Sequence, residues 1–313
     1  MALREETGEA RAEERPRVVA VIPAFNEERC IGSVVLKVRA YVDTVLVVDD
    51  GSTDDTAQIA QAGGAMVVRH EHNRGKGGAL NTGLRRARDL QPAAIVMLDA
   101  DGQHLPCEVP AVLAPVLAGE ADIVVGSRYI GRTNGGGRAN GGGNGVPRHR
   151  VLGHRAFTAL TNAASGVQVS DSQSGFRALS RQAAQALSFS SEGFSVESEM
   201  QFLARELGLR VVEVPISADY TDGPKRPVVA HGLLVLNGVL RLVGQYRPLL
   251  FFGVPGLLLL LVGLGWGGWV VHLYRNTQNL AVGYALISVL CTIIGSLGLF
   301  AGIILHSVRG LLH

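Results

Sequence analysis

The sequence predicts an α/β protein: a doubly wound, mostly parallel sheet, followed by an interfacial helix and a two-helix apolar hairpin. Three observations carry this. Short runs of Val, Ile and Leu alternate with helix-length segments through the first two thirds of the 313-residue chain. Several runs end abruptly in acids and glycine, where parallel strands hand the chain to ligand-binding loops. Towards the C-terminus two long stretches are apolar and free of charged side chains.

The elements follow in order. Residues 1–16 are mostly charged and small with no apolar core, which reads as a disordered tail and not as a secretory signal. Arg17 to Pro23 is a buried strand, and a helix follows from about Glu27 to Ala40. Thr44 to Val48 is the second strand, ending in Asp49-Asp50-Gly51-Ser52, after which Thr53 or Asp54 caps a helix. Met66 to Arg69 is a third strand, Gly75 to Leu90 a helix, Ala94 to Leu98 a fourth strand and Asp122 to Gly126 a fifth. The glycine-rich tract Gly131 to Gly145 cannot hold regular structure cheaply; an inert linker and a mobile flap over a site both stay open. The α/β domain thus spans 17–227. Residues 228–247 mix Leu and Val with Asn237, Arg241 and Gln245, which suits a helix lying at a membrane interface.

Residues 248–313 hold the hairpin. Leu249 to Val271 and Leu280 to Leu305 are each long enough to cross a hydrocarbon core of roughly 30 Å. Gly263, Gly265, Gly267 and Gly268 in one run, with Gly295, Gly298 and Gly302 in the other, suit close helix contact in lipid. Arg241 and Arg247 precede the hairpin and Arg309 follows it, whereas only Arg275 lies in its turn. The asymmetry predicts a multi-pass protein of the cell membrane with the large domain on the cytoplasmic side.

Composition excludes other classes. Lys and Arg number 29 against 27 Asp and Glu, a net charge of +2 with no basic stripe, so no nucleic-acid partner is expected. Cys30, Cys107 and Cys291 are scattered and suit neither a disulfide frame nor a zinc site.

The chemistry concentrates at Ile95-Val96-Met97-Leu98-Asp99-Ala100-Asp101-Gly102-Gln103-His104. Two carboxylates at the end of a buried strand repel each other and cost desolvation unless a cation sits between them. The economical cation is Mg²⁺ or Mn²⁺, which takes few carboxylates and completes its shell with water and substrate phosphates.

Four further segments accompany this one: Ile22-Pro23-Ala24-Phe25-Asn26-Glu27-Glu28, Val47-Val48-Asp49-Asp50-Gly51-Ser52-Thr53-Asp54, His72-Asn73-Arg74-Gly75-Lys76-Gly77-Gly78-Ala79 and Gly126-Ser127-Arg128-Tyr129. As an ordered set they resemble the inverting family 2 glycosyltransferases of GT-A fold, from about Arg17 to Tyr220. Asp171-Ser172-Gln173-Ser174-Gly175-Phe176-Arg177 and the trailing hairpin look most like the polyprenyl-phosphate (dolichol-phosphate) mannose and glucose synthases.

The resemblance implies roles. Pro23, Ala24, Asn26, Glu27 and Asp50 line the nucleotide pocket, where a carboxylate accepts from a base or ribose. Lys76 approaches the diphosphate at a helix start. Asp99, Asp101 and Gln103 are the metal and donor-diphosphate positions, with His104 nearby and Asp171 and Gln173 at the floor. Arg128 holds the lipid phosphate. Arg148 or Arg150, with Arg150 preferred, is a second such position. For Arg177 a structural ion-pair role stays open as the alternative. The segment Tyr220 to Pro227 departs from the family's turn, and a donor-diphosphate contact from Lys225 or Arg226 stays open.

The implied reaction passes a hexosyl group from GDP-mannose or UDP-glucose to polyprenyl or dolichyl phosphate, catalysed through Asp101, Arg128 and Arg150. A transferase using UDP-N-acetylglucosamine is the alternative. A polysaccharide synthase is disfavoured because the only tryptophans, Trp266 and Trp269, lie in the first apolar run. A non-catalytic nucleotide-sugar sensor is disfavoured by the cost of retaining paired acids without a metal. The bilayer is the expected environment, and a homo-oligomer is left open.

Overall fold

A computed structural model describes residues 16–130, 148–191, 193, 195–217, 228–279 and 281–311. The N-terminal tail, the glycine tract, Lys225 and Arg226 lie outside these residues. The side chains of 148–154, Arg148 and Arg150 among them, lie outside the description as well.

Seven strands form one sheet in the order β3-β2-β1-β4-β6-β5-β7. They are β1 (Val18–Ala24), β2 (Thr44–Asp49), β3 (Met66–Arg69), β4 (Ala94–Met97), β5 (Ile123–Ser127), β6 (Arg177–Ser180) and β7 (Val211–Pro215). β1 pairs parallel with both β2 and β4, β2 with β3, and β5 with β7. β6 runs antiparallel between β4 and β5. The sequence reading contains no strand there, because four residues, Arg-Ala-Leu-Ser, carry neither alternation nor an apolar run. From β1 the chain winds to β2 and β3 on one side and to β4 on the other, so the carboxyl ends of β1 and β4 form the switch point where such sheets bind ligands.

Both faces of the sheet are covered, which is why β1, β2 and β4 read as near-continuous apolar runs. One core joins Ala20, Ile22, Val47 and Val96 to helices α1 (Ile31–Val38) and α4 (Val109–Leu117) through Val35, Val112 and Leu113. The opposite core joins Val19, Val21, Leu46 and Ile95 to α3 (Gly75–Asp89) and α7 (Val196–Glu206) through Leu84, Val196 and Met200. α3 lies against β1 and β2 because residue 83 is glycine; a Cβ there would meet Val21 and Val48. Helix α1 starts four residues later than the sequence pattern places it. The intervening amides are taken elsewhere: Asn26, Glu27 and Glu28 donate to Ser52, Thr56 and Asp54.

Helix α8 (Val228–Tyr246) covers the expected interfacial segment and rests on the α/β domain. Val239, Leu242 and Val243 are buried with Phe202 of α7 and Ala164 of α5 (Arg148–Ser165). Burial of each such side chain contributes about 1.5–3 kcal/mol, which fixes α8 to the domain. A π-helical turn, Leu249–Gly253, leads into α9 (Val254–Thr277), which pairs with α10 (Val282–Leu311). Leu249–Thr277 and Val282–Val308 are long and apolar enough to cross a bilayer, and most of their surface faces outward. A Cβ at Gly256, Gly263, Gly295 or Gly302 would strike the partner helix's backbone, whereas Gly265 and Gly268 face open space. Ser288 Oγ donates to the Gly263 carbonyl at 2.8 Å across this seam.

Candidate active site

The site lies at the carboxyl ends of β1, β2, β4 and β5. After β1 the chain turns through Asn26, whose φ of 55° is left-handed, a conformation asparagine tolerates better than most residues. Its side chain accepts from the Thr53 amide at 2.9 Å, and its own amide donates to Ser52 Oγ at 2.9 Å. Glu27 is held at the same level by Thr56. The turn from Pro23 to Glu27 is thereby stitched to the loop after β2.

Asp50, at the end of β2, is almost wholly buried. Its Oδ1 pairs with His70 Nδ1 at 2.7 Å and accepts from the Arg74 amide at 2.9 Å. His70 Nε2 reaches Thr82 Oγ1 at 3.0 Å. This carboxylate therefore sets the entry into α3.

The Asp99-Ala100-Asp101 turn follows β4. Gly102 has φ of 76°, and the Gln103 amide donates back to Asp101 Oδ1 at 3.0 Å, so the loop folds over its own second acid. Burial, then repulsion from Asp99 and from Glu27, pushes Asp101 up to about 6. His104 is buried against Phe176, with ring centroids 5.2 Å apart, and its Nδ1 faces the Asp99 amide at 3.4 Å. Burial drives His104 down to about 4, so it is neutral at pH 7 and holds the loop.

Asp99 faces a cation. Lys76, from the first turn of α3, places Nζ 2.5 Å from Asp99 Oδ1 and 2.5 Å from Glu197 Oε1 of α7. Burial opposes the charge of Lys76, but Asp99 and Glu197 together raise its pKa above that of a free lysine. Burial works equally against Asp99, and Lys76 holds its carboxyl below the usual range. Gly175 makes room for this arrangement, since a Cβ there would lie 2.5 Å from Asp99 Oδ2.

At the end of β5, Arg128 meets Asp171 in a bidentate pair, Nε to Oδ2 at 2.7 Å and Nη2 to Oδ1 at 2.8 Å. Asp171 is fully buried. Glu213 of β7 fixes the backbone beneath it by accepting from the amides of Ser170 and Asp171 at 2.8 and 3.2 Å. Arg177 is also buried and donates to the carbonyls of Ser174 and Ser172 at 2.9 and 2.8 Å. Its role is to shape the 171–175 loop through backbone carbonyls. Gln173 donates to Ser198 Oγ at 2.9 Å, tying the same loop to α7.

The structure thus brings together Pro23, Glu27, Asp50, Lys76, Asp99, Asp101, Gln103 and Arg128. Glu197 and Glu213 carry no local sequence signal, and Gly175 lies in the Asp171–Arg177 segment without a role assigned to it there. Glu197 is 98 positions from Asp99, on a helix whose pattern predicts only amphipathic packing.

Among the described residues no three His, Cys, Asp or Glu side chains form a metal cage. A hard cation bound mainly by substrate phosphates and water needs no cage, only one or two carboxylates. Asp101, desolvated beside two acids, fits that need, and the Gln103 side chain is an oxygen donor two residues away.

The glycosyl transferase family 2 profile matches residues 19–188. The UDP-N-acetylglucosamine–dolichyl-phosphate N-acetylglucosaminyltransferase of Methanococcus voltae is 32% identical over 225 residues, covering 66% of this chain and 86% of that protein. The polyprenol monophosphomannose synthase of Mycolicibacterium smegmatis is 32% identical over 227 residues, covering 67% and 81%. The crystal structure of glucosyl-3-phosphoglycerate synthase from Mycobacterium tuberculosis with Mn²⁺ and UDP-glucose superposes with a TM-score of 0.56 at 27% identity, covering 74% of this chain and 79% of that one.

Proposed function

Because the chain belongs to glycosyl transferase family 2, we propose that it is a membrane-bound inverting enzyme. It moves a hexosyl group from a nucleotide-diphosphate sugar to polyprenyl or dolichyl phosphate, giving a β-linked lipid phosphosugar. The observation that carries this reading is the desolvated Asp101 beside Asp99 at the sheet's switch point. Lipid-phosphate acceptors in the names of the relatives, and a hairpin long enough to span a bilayer, support the acceptor class.

Asp99, Asp101 and Gln103 are the residues that would hold Mg²⁺ or Mn²⁺, the ion of the glucosyl-3-phosphoglycerate synthase complex. Once bound, the ion supplies charge against the departing diphosphate. The chain's own residues do the rest. The Pro23–Glu27 turn, with Asp50 beneath it, receives the nucleoside. Lys76 carries positive charge to the diphosphate side of Asp99. Arg128, its plane set by Asp171, presents a guanidinium for the acceptor phosphate, with Arg150 as its partner.

A phosphate monoester has its second pKa near about 6, so the nucleophile is already ionised at neutral pH and needs no general base. Attack by its oxygen on the anomeric carbon, opposite the leaving diphosphate, inverts the configuration. Catalysis then rests on positioning and electrostatics.

GDP-mannose and UDP-glucose are the donors proposed first. The name of the M. voltae relative makes UDP-N-acetylglucosamine the alternative. The test offers each labelled nucleotide sugar, with polyprenyl phosphate and Mg²⁺, to membranes containing the protein. Label extracted into organic solvent with one donor supports the reading. Label that stays in water with every donor refutes it.

A further inference from the structure

Away from the sheet's carboxyl ends lies a second cleft, with a volume of about 630 Å³, where the α/β domain meets the hairpin. Its walls come from the C-terminal ends of α5, α7 and α8, from the π-helical turn and from the last turns of α10. Size places it among small-ligand sites, which span about 300–1,000 Å³. Thr158 of α5 contacts Ser172 of the active site at 3.0 Å. The cleft opens at Ala163 to Ser165, roughly 10 Å further along the helix at its rise of about 1.5 Å per residue.

Its chemistry is two-sided. Arg205 Nε and Arg247 Nη2 lie 3.9 and 4.0 Å from the place a Cβ would occupy on Gly166, so two guanidinium groups converge over one glycine. Arg247 is oriented by its Nε, which donates to the Ala164 carbonyl at 3.1 Å. His306 adds an imidazole, and among the described residues Glu206 is the one acid on the wall. The other side is apolar: Leu249, Leu250 and Val254 are 41%, 51% and 47% exposed at the start of the first apolar helix. Converging cations beside exposed aliphatic groups, at the level where the hairpin leaves the domain, complement an anionic head attached to a hydrocarbon tail.

We propose that this cleft binds the phosphodiester headgroup of a membrane glycerophospholipid, gripped by Arg205 and Arg247, with its acyl chains along Leu249, Leu250 and Val254. The bound lipid bridges α7 and α8 to the hairpin and so fixes the height of the active site above the bilayer. The inference rests on the hairpin lying in a membrane, and the test separates the two.

Full-length protein is reconstituted into phosphatidylcholine vesicles and washed with alkali; loss from the vesicle fraction would refute the membrane reading itself. Retained protein is then extracted in mild detergent, and bound phosphatidylglycerol is titrated by native mass spectrometry. Wild type takes up one phosphatidylglycerol, and Arg205→Gln weakens that binding about tenfold, as expected for one charge-assisted contact. Melting temperature checks the fold, and Arg247→Lys, which keeps the charge but loses the fork, weakens binding less than Arg205→Gln. Equal retention by wild type and Arg205→Gln overturns the proposal. So does displacement of phosphatidylglycerol by equimolar polyprenyl phosphate, which would make the cleft an acceptor site.

Discussion

Asp101 and Lys76 show opposite solutions to the same problem of charge without water. Asp101 sits beside Asp99 and Glu27; burial first, and then repulsion from these two acids, lifts its pKa. Asp101→Asn relieves that repulsion, so the variant melts no lower than wild type while sugar transfer falls about a hundredfold or more. A large drop in melting temperature would show that the acid is there for the fold. Lys76 instead bridges two carboxylates. Lys76→Met strands both, a cost of about 3–5 kcal/mol visible in thermal unfolding, and adding Glu197→Gln recovers part of it. No recovery in the double variant would refute the bridge. At Arg128, Lys keeps the charge but loses the bidentate fork that meets Asp171. Arg128→Lys is expected to raise the KM for lipid acceptor more than that for donor; the reverse order contradicts its assignment.

At the scale of elements, the 171–175 loop positions the site as much as β4 does. Gly175 borders the Asp99 carboxylate so closely that Gly175→Ala must push one of the two aside. Transfer should fall at least about tenfold, since small misplacement of catalytic groups is costly. Gly193→Ala, where a Cβ meets nothing within 4 Å, should leave activity unchanged and serves as the control. Equal activities in both variants would mean the loop does not set the acid's position. This division also explains what was legible in the sequence. Strands β1, β2 and β4, buried on both faces, announced themselves as apolar runs, and their terminal acids as a site. The hairpin's glycines were legible as small residues, yet only the structure separates Gly263, pressed on Thr292, from Gly265, which faces outward. β6 and Glu197 were not legible, because a four-residue antiparallel strand and a single buried acid on an amphipathic helix acquire meaning only from partners distant in sequence.

For the whole molecule, the arrangement of charge around the hairpin makes a claim about sides. Arg241 and Arg247 precede α9 and Arg309 closes α10, while Arg275 stands alone near the turn. The tendency of basic flanks to stay on the cytoplasmic side predicts an α/β domain in the cytoplasm and the turn after Thr277 outside. Gln278 lies in that turn with φ of 54° and is exposed, and Glu28 is exposed at the rim of the active site. The native Cys107 is exposed too, so the measurement uses a background carrying Cys107→Ser. In intact cells a membrane-impermeant maleimide should label Gln278→Cys and leave Glu28→Cys untouched until lysis. Labelling of both sites only after lysis would mean that the hairpin does not cross. Labelling of Glu28→Cys alone in intact cells would invert the molecule, and would put the nucleotide-sugar pocket on the side of the membrane opposite to the one proposed.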